Sequence, residues 1–500
     1  MALPYPLIVP GIRLDKDADA ETKLALERAR QPWVAGFILF GGHAEQVAQL
    51  TADLRHEAGR PIFIASDMER GAGQQVAGLT RLPDLGILGL AAMPHEARAC
   101  GEITARDAMS VGIDVVFGPC LDVRSEVDNP ILGNRAFGFE PWRVADLGCE
   151  YVGGIEAGGA LAVAKHFPGH GGTREDSHEA LPVVEADLAT LEVRDLEPFH
   201  KALWWAGCPG LMTSHVSYPA LDATGAIASF SAPIVARARA LVNPNDDDPG
   251  VLVFTDALLM AGATVPGGEP EAARRSLAAG CDMLLYPAEP EAVAASLAVS
   301  EAEAVRVHEN LQRFLTLGAA RAAEVEEADP ELARQPDRIA WRALHRAGRG
   351  PTCYPDLLVL LDDDAMEDRG AVLAAAAAAH DTPVVHLRVP AGDTFSMPEL
   401  DLEEPALLSV AIVVFAAARG WKGSSGASEA CATLAQQVAG AVWEREGLPS
   451  TVWCAPRPGG FGDLHLPGTG PQVERALARR LFPTDDELVD ARLEGDPDEA

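Results

Sequence analysis

The stretch Leu161-Ala-Val-Ala-Lys165-His-Phe-Pro-Gly-His-Gly-Gly-Thr-Arg-Glu-Asp-Ser-His178 indicates how this chain is built. It opens with four apolar residues, which suit a short strand buried on both faces of a parallel sheet. The run ends in Lys165 and His166, and the proline and glycines that follow are typical of a loop. The stretch therefore predicts an α/β fold in which polar side chains stand at the end of a buried strand.

Similar apolar runs recur before about residue 290, with helix-like stretches between them, one of which covers residues 188–206. Eight strand–helix units predict a (β/α)8 TIM barrel, and an open, doubly wound sheet is the alternative. The eight runs are Leu7–Pro10, Gly36–Phe40, Ile62–Ala65, Val115–Phe117, Leu161–Ala164, Gly210–Met212, Val251–Phe254 and Met283–Leu285.

Polar residues directly follow five of these runs. In a barrel, the carboxyl ends of the strands meet around one pocket, whereas in an open sheet they are spread along an edge. We therefore expect the five groups to converge on a common site. They are Ser66-Asp67, Asp122, Lys165-His166, Ser214-His215 and Thr255-Asp256.

The remainder of the chain predicts a second, smaller domain. Residues 1–320 form the predicted barrel, and 321–350, rich in Ala, Arg and Glu, are expected to be a helical connector. Four further apolar runs between 351 and 483, with a helix-like stretch at 428–445 among them, indicate an α/β/α sandwich domain. Residues 484–500 are acidic and poor in large apolar groups, so we expect a solvated tail.

Composition restricts the classes of partner and compartment. With 40 basic and 74 acidic residues the formal net charge is −34, which argues against nucleic acid and anionic membrane surfaces as partners. The first residues lack the pattern of a signal peptide, and no run reaches the ~20 apolar residues that span a bilayer. The eight cysteines are scattered without a CxxC pair, so we expect a cytoplasmic protein.

The loop after Lys165 carries the strongest candidates for chemistry. Asp176 and His178 are two residues apart, so the carboxylate can fix the imidazole tautomer and support a proton donor. The alternative is a surface loop with incidental histidines. A metal site built from His166, His170, His178 and Asp176 is a further interpretation, but the spacing of a zinc-binding helix is missing.

Other polar residues have both a functional and a structural interpretation. Asp256 is either a nucleophile at the barrel mouth or the N-cap of a following helix. Asp67 is suited to binding substrate hydroxyls or to pairing with an arginine. Arg135 could fork onto a substrate or anchor its own loop, and His215 is interpreted as a histidine of the pocket wall.

Taken together, these motifs resemble glycoside hydrolase family 3, and within it the bacterial β-N-acetylglucosaminidase branch. The resemblance extends over about residues 5–315, with the motifs in the family's order. It rests on Lys165–His178, on Asn129-Pro-Ile-Leu-Gly-Asn-Arg-Ala-Phe-Gly138, on Met212-Thr-Ser-His215, on Phe254-Thr-Asp-Ala-Leu258 and on Ala279-Gly-Cys-Asp-Met283.

The resemblance implies a retaining mechanism through a covalent glycosyl-enzyme. Asp256 would be the nucleophile, His178 the general acid and base, and Asp176 the partner that tunes His178. A histidine is neutral once it has given up its proton, so phosphorolysis beside hydrolysis is also a hypothesis. The substrate-binding residues implied in the same way are Asp67, Arg135, Lys165, His166 and, more weakly, His215.

The expected substrate is a small carbohydrate ending in N-acetylglucosamine, such as a muropeptide or chitin fragment, and no cofactor or metal is expected. The alternatives are a family-3 β-glucosidase or xylosidase, and a non-catalytic sugar-binding barrel. The C-terminal domain would lend a residue to the pocket, or only pack or form a homodimer. Three positions depart from the family pattern: Gly172 replaces Asp or Asn, Gln75 replaces an arginine that Arg70 would otherwise supply, and Ala257 replaces the second Asp of Ser-Asp-Asp-Leu.

Overall fold

The structure is a computed structural model in which the chain divides into two compact units. The first comprises Met1–Leu82 and Ala92–Gln335, and the second Pro83–Ala91 and Pro336–Ala500. The predicted domain limits at 320, 350 and 483 stay a prediction. The structure describes residues 5–126, 129, 131–173, 182–242, 250–325, 327–346, 357–362, 371–380, 382, 384–388, 409–415, 435, 438, 439, 448–454, 464–466 and 471–481.

Eight of the nine strands of the first unit overlap the eight predicted runs, whereas β2 was not predicted because it follows the first run and ends in Arg13. Strands β2 to β8 form one parallel sheet in chain order, and β1 pairs in parallel with β9. They are β1 (Ile8–Val9), β2 (Gly11–Arg13), β3 (Gly36–Phe40), β4 (Phe63–Ser66), β5 (Val115–Cys120), β6 (Leu161–Phe167), β7 (Gly210–Thr213), β8 (Leu252–Phe254) and β9 (Leu284–Leu285).

Strand β9 touches both ends of this arrangement. On one side Ile8 of β1 pairs with Leu284, and the amide of Leu284 donates to the carbonyl of Leu7 at 2.8 Å. On the other side Phe254, the last residue of β8, forms a parallel bridge with Met283. The first and last strands of the unit are therefore neighbours.

Helices follow most of the strands, which makes the chain an α/β protein, as predicted. None of the described helices is long and apolar enough to cross a membrane. The helices are α1 (Ala18–Ala29), α2 (Ala44–Ala58), α3 (Leu85–Ala91), α4 (Pro94–Ser110), α5 (Pro141–Ala157), α6 (Leu188–Arg194), α7 (Leu196–Trp204), α8 (Ala232–Ala240), α9 (Gly268–Ala279), α10 (Pro290–Ser296), α11 (Glu301–Glu324), α12 (Gln335–Arg346), α13 (Ala371–Ala379) and α14 (Pro471–Leu481).

One predicted helix is two helices in the structure. The apolar pattern predicted a single helix over 188–206, but α6 ends at Arg194 and α7 begins at Leu196. Pro198 explains the break, because a proline has no amide hydrogen to donate and its ring collides with the carbonyl four residues earlier, which belongs to Arg194. The break leaves Asp195 at the junction, where it is buried.

Aromatic rings fill the interior of the first unit. Phe254 packs edge to face against Phe63 at 5.8 Å and against Phe117 at 5.3 Å, and Phe314 of α11 lies 6.1 Å from both Phe63 and Phe254. Such edge-to-face packing is the favoured geometry for buried rings. The apolar part of β6 borders this interior, and its polar residues Lys165 and His166 come near the carboxyl end of the strand.

The second unit contains a five-stranded parallel sheet in the order β11-β10-β12-β13-β14. Four of its strands were predicted, whereas β14 was missed because its sequence, Leu-His-Leu, is not an apolar run. Most of the predicted helix 428–445 and the acidic tail lie outside the described residues. The strands are β10 (Leu357–Asp362), β11 (Val384–Arg388), β12 (Ser409–Phe415), β13 (Leu448–Cys454) and β14 (Leu464–Leu466).

Candidate active site

Lys165, at the end of β6, lies at the centre of a charged cluster. Its Nζ is 2.7 Å from Oδ1 of Asp67 and 2.7 Å from Oε1 of Glu69, and its side chain is only 3% exposed. Burial opposes the positive charge, but the two carboxylates outweigh it and raise the pKa of Lys165 above its usual range. Lys165 is therefore a fixed cation, and Asp67, only partly buried, keeps oxygen lone pairs open to a ligand.

Glu69 joins this cluster to Arg135 and was not among the predicted site residues. Arg135 donates from Nε and Nη2 to the two carboxylate oxygens of Glu69, at 2.9 and 2.7 Å. Burial alone would raise the pKa of Glu69, but Arg135 and Lys165 hold it well below its usual range. The guanidinium fork thus faces Glu69, as in the loop-anchoring alternative, and a contact between Arg135 and substrate stays a prediction.

A signal for Glu69 was present in the sequence. Asp67 and Glu69 are two residues apart directly after β4, so in an extended chain they point to the same side. The signal is weak because Glu69 lies four residues beyond the apolar run, which ends at Ala65.

His166, the next residue on β6, is oriented by a buried carboxylate. Its Nδ1 lies 2.7 Å from Oδ2 of Asp122, and the backbone amide of His170 donates to Oδ1 of the same residue at 2.6 Å. Burial raises the pKa of Asp122, but the two histidines more than offset this and lower it. An ionised Asp122 keeps the proton of His166 on Nδ1, which leaves Nε2 available for a ligand.

His170 is a structural residue of the following turn. Burial lowers its pKa to about 4, despite the opposing effect of Asp122, so the ring is neutral at physiological pH. Its Nδ1 lies 3.0 Å from Oγ1 of Thr173. These contacts pin the start of the histidine-rich loop rather than expose His170 to a substrate.

One group of described residues offers donors of the types that zinc takes. The thiol of Cys120, a carboxylate oxygen of Asp122 and a ring nitrogen of His166 all lie within 4.8 Å of one another. Cys120 Sγ donates to Asp122 Oδ2 at 3.0 Å, the same oxygen that is bonded to His166. Burial and the neighbouring Asp122 raise the pKa of the thiol well above its usual value. The group therefore acts as a hydrogen-bonded support for His166.

Asp256 lies directly after β8. Its backbone amide donates to the carbonyl of Thr213 at 3.0 Å, and its Oδ1 accepts from the amide of Ala257 at 2.8 Å. No helix begins at Asp256; the next short 3-10 turn, Ala261–Ala263, is capped by Met260. The N-cap alternative is therefore wrong.

The surroundings of Asp256 favour its charged form. Burial raises its pKa, but His166, His215 and, to a lesser extent, Lys165 act in the opposite direction and the net effect is a lowered pKa. An ionised carboxylate at neutral pH is what a nucleophile requires.

His215 supports the segment that carries Asp256. Its Nε2 lies 3.1 Å from the carbonyl oxygen of Ala257, and its Nδ1 lies 2.9 Å from Oγ of Ser229. The residue is completely buried, and burial lowers its pKa. Both nitrogens of His215 are thus in hydrogen bonds, one of them to the residue that follows Asp256, and a place in the pocket wall and direct substrate contact stay predictions.

The predicted acid/base residues, Asp176 and His178, lie outside the described residues, but the structure describes the chain on both sides of them. On one side, Nδ2 of Asn129 donates to the carbonyl of His170 at 3.0 Å and to Thr173 at 3.1 Å. On the other, the amide of Ser217 donates to Pro182 at 3.0 Å. Asn129, which the sequence placed only in a loop motif, is thus an anchor of the segment.

A family model and individual proteins both relate this chain to glycosyl hydrolases. Residues 13–317 match the family model described as the glycosyl hydrolase family 3 N terminal domain. The chain is 36% identical over 295 residues to a β-hexosaminidase of Tolumonas auensis, an alignment that covers 56% of this chain and 82% of that protein. It is 38% identical over 296 residues to a β-hexosaminidase of Thioalkalivibrio sulfidiphilus, covering 57% and 82%.

The fold is also similar to a solved structure over nearly the whole chain. A family 3 β-N-acetylglucosaminidase from Paenibacillus sp. str. FPU-7 superposes with a TM-score of 0.76 and covers 95% of both chains at 24% identity, a likeness of fold alone. The sequence match is the stronger statement, because the family model covers more than half of the residues and includes every residue of the cluster described above. This chain belongs to glycosyl hydrolase family 3.

Proposed function

We propose that this chain is a retaining, exo-acting β-N-acetylglucosaminidase that removes terminal N-acetylglucosamine from small glycosides, muropeptides or chitin fragments. The observation that carries the proposal is the ionised carboxylate of Asp256 at the end of β8, close enough to Lys165 and His166 for them to lower its pKa. The sequence similarity to β-hexosaminidases supports the choice of sugar.

In the proposed mechanism, Asp256 attacks the anomeric carbon and forms a covalent bond to the sugar while the glycosidic bond breaks. His178 donates a proton to the departing oxygen, and Asp176 stabilises the imidazolium before this step. His178 then removes a proton from the water that releases the sugar from Asp256, which regenerates the enzyme. Most retaining glycosidases use one carboxyl group as nucleophile and another as general acid and base. Here the nucleophile is a carboxylate, and the general acid and base is a histidine.

The charged cluster would hold the sugar ring during both steps. Asp67, oriented by Lys165 at 2.7 Å, is suited to accept hydrogen bonds from sugar hydroxyls, and Lys165 is suited to donate them. His166 would add a further contact through Nε2, since Asp122 occupies Nδ1. Because these groups are held by buried ion pairs, little reorganisation would be needed on binding.

The test compares 4-nitrophenyl N-acetyl-β-glucosaminide with the corresponding β-glucoside. We expect turnover of the first, and a loss of roughly 10³-fold or more in Asp256→Ala and His178→Ala. Full activity in either variant would contradict the mechanism. Preference for the glucoside would indicate a β-glucosidase, absence of turnover a sugar-binding barrel, and release of sugar 1-phosphate in phosphate buffer would add phosphorolysis.

We further propose that the first unit closes as a (β/α)8 TIM barrel and that the second is an α/β/α sandwich. The pairing of β1 with β9 and the bridge between Phe254 and Met283 support closure, since they link the two ends of the strand series. A cytoplasmic location is proposed from the free thiols of Cys100, Cys120, Cys149, Cys208 and Cys281. A carbohydrate substrate is the proposed partner, and a homodimer stays a prediction.

A further inference from the structure

Phe139 is an exposed aromatic residue that is held from behind by a buried cation. Its side chain is 51% exposed, although large apolar groups are usually buried. The guanidinium carbon of Arg124 lies 5.1 Å from the centre of the ring, and Arg124 itself is only 4% exposed. A cation behind an aromatic ring at this distance holds the ring in place and leaves its other face free.

The backbone around Phe139 connects it to both halves of the candidate active site. After β5, the amide of Leu121 donates to the carbonyl of Lys165 at 2.7 Å. Three residues later, the amide of Arg124 donates to Gly138 at 2.9 Å, and the amide of Glu126 donates to Gly171 at 3.0 Å. The segment 121–126 therefore contacts Lys165 of β6 at one end, and at the other end it contacts Gly171, which precedes the loop that carries His178.

In the proposed reaction the leaving group lies beside the loop that carries His178, whose described ends are Thr173 and Pro182. A general acid must come within about 3 Å of the glycosidic oxygen that it protonates. The part of the substrate that departs, the aglycone, is attached to that oxygen, so it must lie on the side of the loop that carries His178. Gly171 starts that loop, and Phe139 is separated from Gly171 by one backbone segment.

We propose that Phe139 is a stacking platform for the first sugar ring of the aglycone, with Arg124 as its support. This rests on the proposed function. A pyranose ring presents an apolar face of C–H groups, and a fixed, exposed aromatic ring can cover that face without losing side-chain entropy. The platform would thus favour glycosides whose aglycone is another sugar over those whose aglycone is too small to reach it.

The experiment compares two N-acetyl-β-glucosaminides that differ only in aglycone. N,N′-diacetylchitobiose carries a second sugar ring, whereas methyl N-acetyl-β-glucosaminide carries only a methyl group. For Phe139→Ala, we expect kcat/KM for the disaccharide to fall about 2- to 10-fold, and kcat/KM for the methyl glycoside to stay within twofold. Phe139→Tyr keeps an aromatic face and should retain the wild-type ratio of the two values.

Trp205→Ala is the matched control. Trp205 is 73% exposed, but it follows the end of α7 and precedes β7, so it stands at the amino ends of the strands, away from the pocket. It should leave both values unchanged. If the wild type cleaves neither glycoside, the proposed function is wrong and the platform falls with it. If the wild type cleaves both, and Phe139→Ala lowers both equally or neither, the platform alone is overturned.

Discussion

Asp122 is a buried residue that holds the end of β6 and the turn after it in place. It is completely buried and accepts hydrogen bonds from the amide of His170, from the ring of His166 and from the thiol of Cys120. Burial raises the pKa of Asp122, but His166 and His170 more than offset this and lower it. A buried carboxylate that is fully paired both charges and orients its partners.

Replacing Asp122 tests this role. In Asp122→Asn one oxygen becomes an NH2 group, which faces donors that it cannot accept from, so the ring of His166 loses its fixed orientation. Hydrogen bonds to charged groups contribute about 1.5–3 kcal/mol, so kcat/KM for the N-acetyl-β-glucosaminide should fall by roughly 10- to 100-fold. Cys120→Val removes only the thiol donor and should cost no more than a few-fold. Full activity in Asp122→Asn would show that His166 does not need this partner.

Asp195 is a buried carboxylate that, unlike Asp122, has a hydrogen-bond partner on only one of its two oxygens within the described part of the chain. Its Oδ2 accepts from Nε and Nη2 of Arg194 at 2.9 and 2.8 Å, but its Oδ1 has no hydrogen-bond partner within the described part of the chain. Burial raises the pKa of Asp195 to about 6, and Arg194 offsets this only in part. The charged form is therefore unfavourable in the folded protein.

This raised pKa predicts how stability changes with pH. An unfolded aspartate loses its proton near pH 4, and folded Asp195 loses it near pH 6, so the folded state holds the extra proton in between. The free energy of unfolding should therefore decrease as pH rises from 4 to 6, by on the order of 2 kcal/mol, and stay lower above that. Asp195→Asn should flatten this dependence and raise the melting temperature at pH 7.5.

Asp187→Asn provides the comparison for Asp195→Asn. Asp187 caps α6 by accepting from the amide of Thr190 at 2.8 Å, and asparagine caps a helix about as well as aspartate. Its substitution should therefore leave the stability profile between pH 4 and 7.5 close to wild type. An Asp195→Asn profile that parallels wild type across this range would contradict the assignment.

At the scale of elements, two adjacent glycines in the loop after β6 have different constraints. A side chain on Gly171 would collide with the carbonyl oxygen of Val123, so this position needs glycine for close approach of two backbones. A Cβ on Gly172 would meet nothing nearer than 3.4 Å, and the atoms at that distance include Nη2 of Arg194. Gly172 is therefore replaceable, and an acidic side chain there would face a cation.

Gly172→Asp should stabilise the loop. The substitution restricts the unfolded chain and adds an ion pair with Arg194, and together these contribute about 0.5–1 kcal/mol. For a unit of this size the melting temperature should rise by about 1–4 °C, measured by thermal unfolding at pH 7.5. Gly171→Ala is the control and should lower both stability and activity. A lower melting temperature for Gly172→Asp, with Gly171→Ala unaffected, would reverse the assignment of the two positions.

The elements that could be predicted from sequence are those whose signal is local. Every strand of the first unit except β2 contains a predicted apolar run, and contacts join polar residues that follow different runs, Asp67 with Lys165 and Asp122 with His166. The break at Asp195 was missed because Pro198 lies inside an otherwise amphipathic pattern. The position of the proline within the helix decides that break, and a count of apolar residues does not register it.

The partners of the site residues could not be predicted, because they depend on contacts across the fold. Arg135 and Glu69 are 66 positions apart, and Asp122 and His166 are 44 apart, so no spacing rule connects them. For the same reason the N-cap alternative for Asp256 could be rejected only once the turn that follows it was known. Residue types were predictable, whereas their pairing required the tertiary structure.

At the scale of the whole molecule, the family match and the compact units do not end at the same residue. The match to the family model ends at residue 317, inside α11, while the longer segment of the second unit begins at Pro336. The second unit also includes Pro83–Ala91, which belongs to the stretch matched by the family model. A single cut in the chain therefore cannot separate the two units cleanly.

A truncated chain that ends at Gln335 tests this division. It would retain α3 but lack the rest of its unit, including Arg342, whose Nη1 donates to the carbonyl of Ala91 at 2.8 Å. Leu85, Ile87 and Leu88 of α3 are buried in the full chain, and burial of each such side chain contributes about 1.5–3 kcal/mol. We expect the truncated chain to self-associate and to melt at a lower temperature than the full chain.

Polar replacements in α3 distinguish exposed apolar surface from a general loss of folding. Changing Leu85, Ile87 and Leu88 to glutamine in the truncated chain should restore a monomer in size-exclusion chromatography, because the uncovered apolar surface is removed. The same three changes in the full chain should instead lower its melting temperature, since they place unpaired polar groups in a buried position. A truncated chain that is monomeric and as stable as the full chain without these replacements would mean that α3 is not held by the second unit.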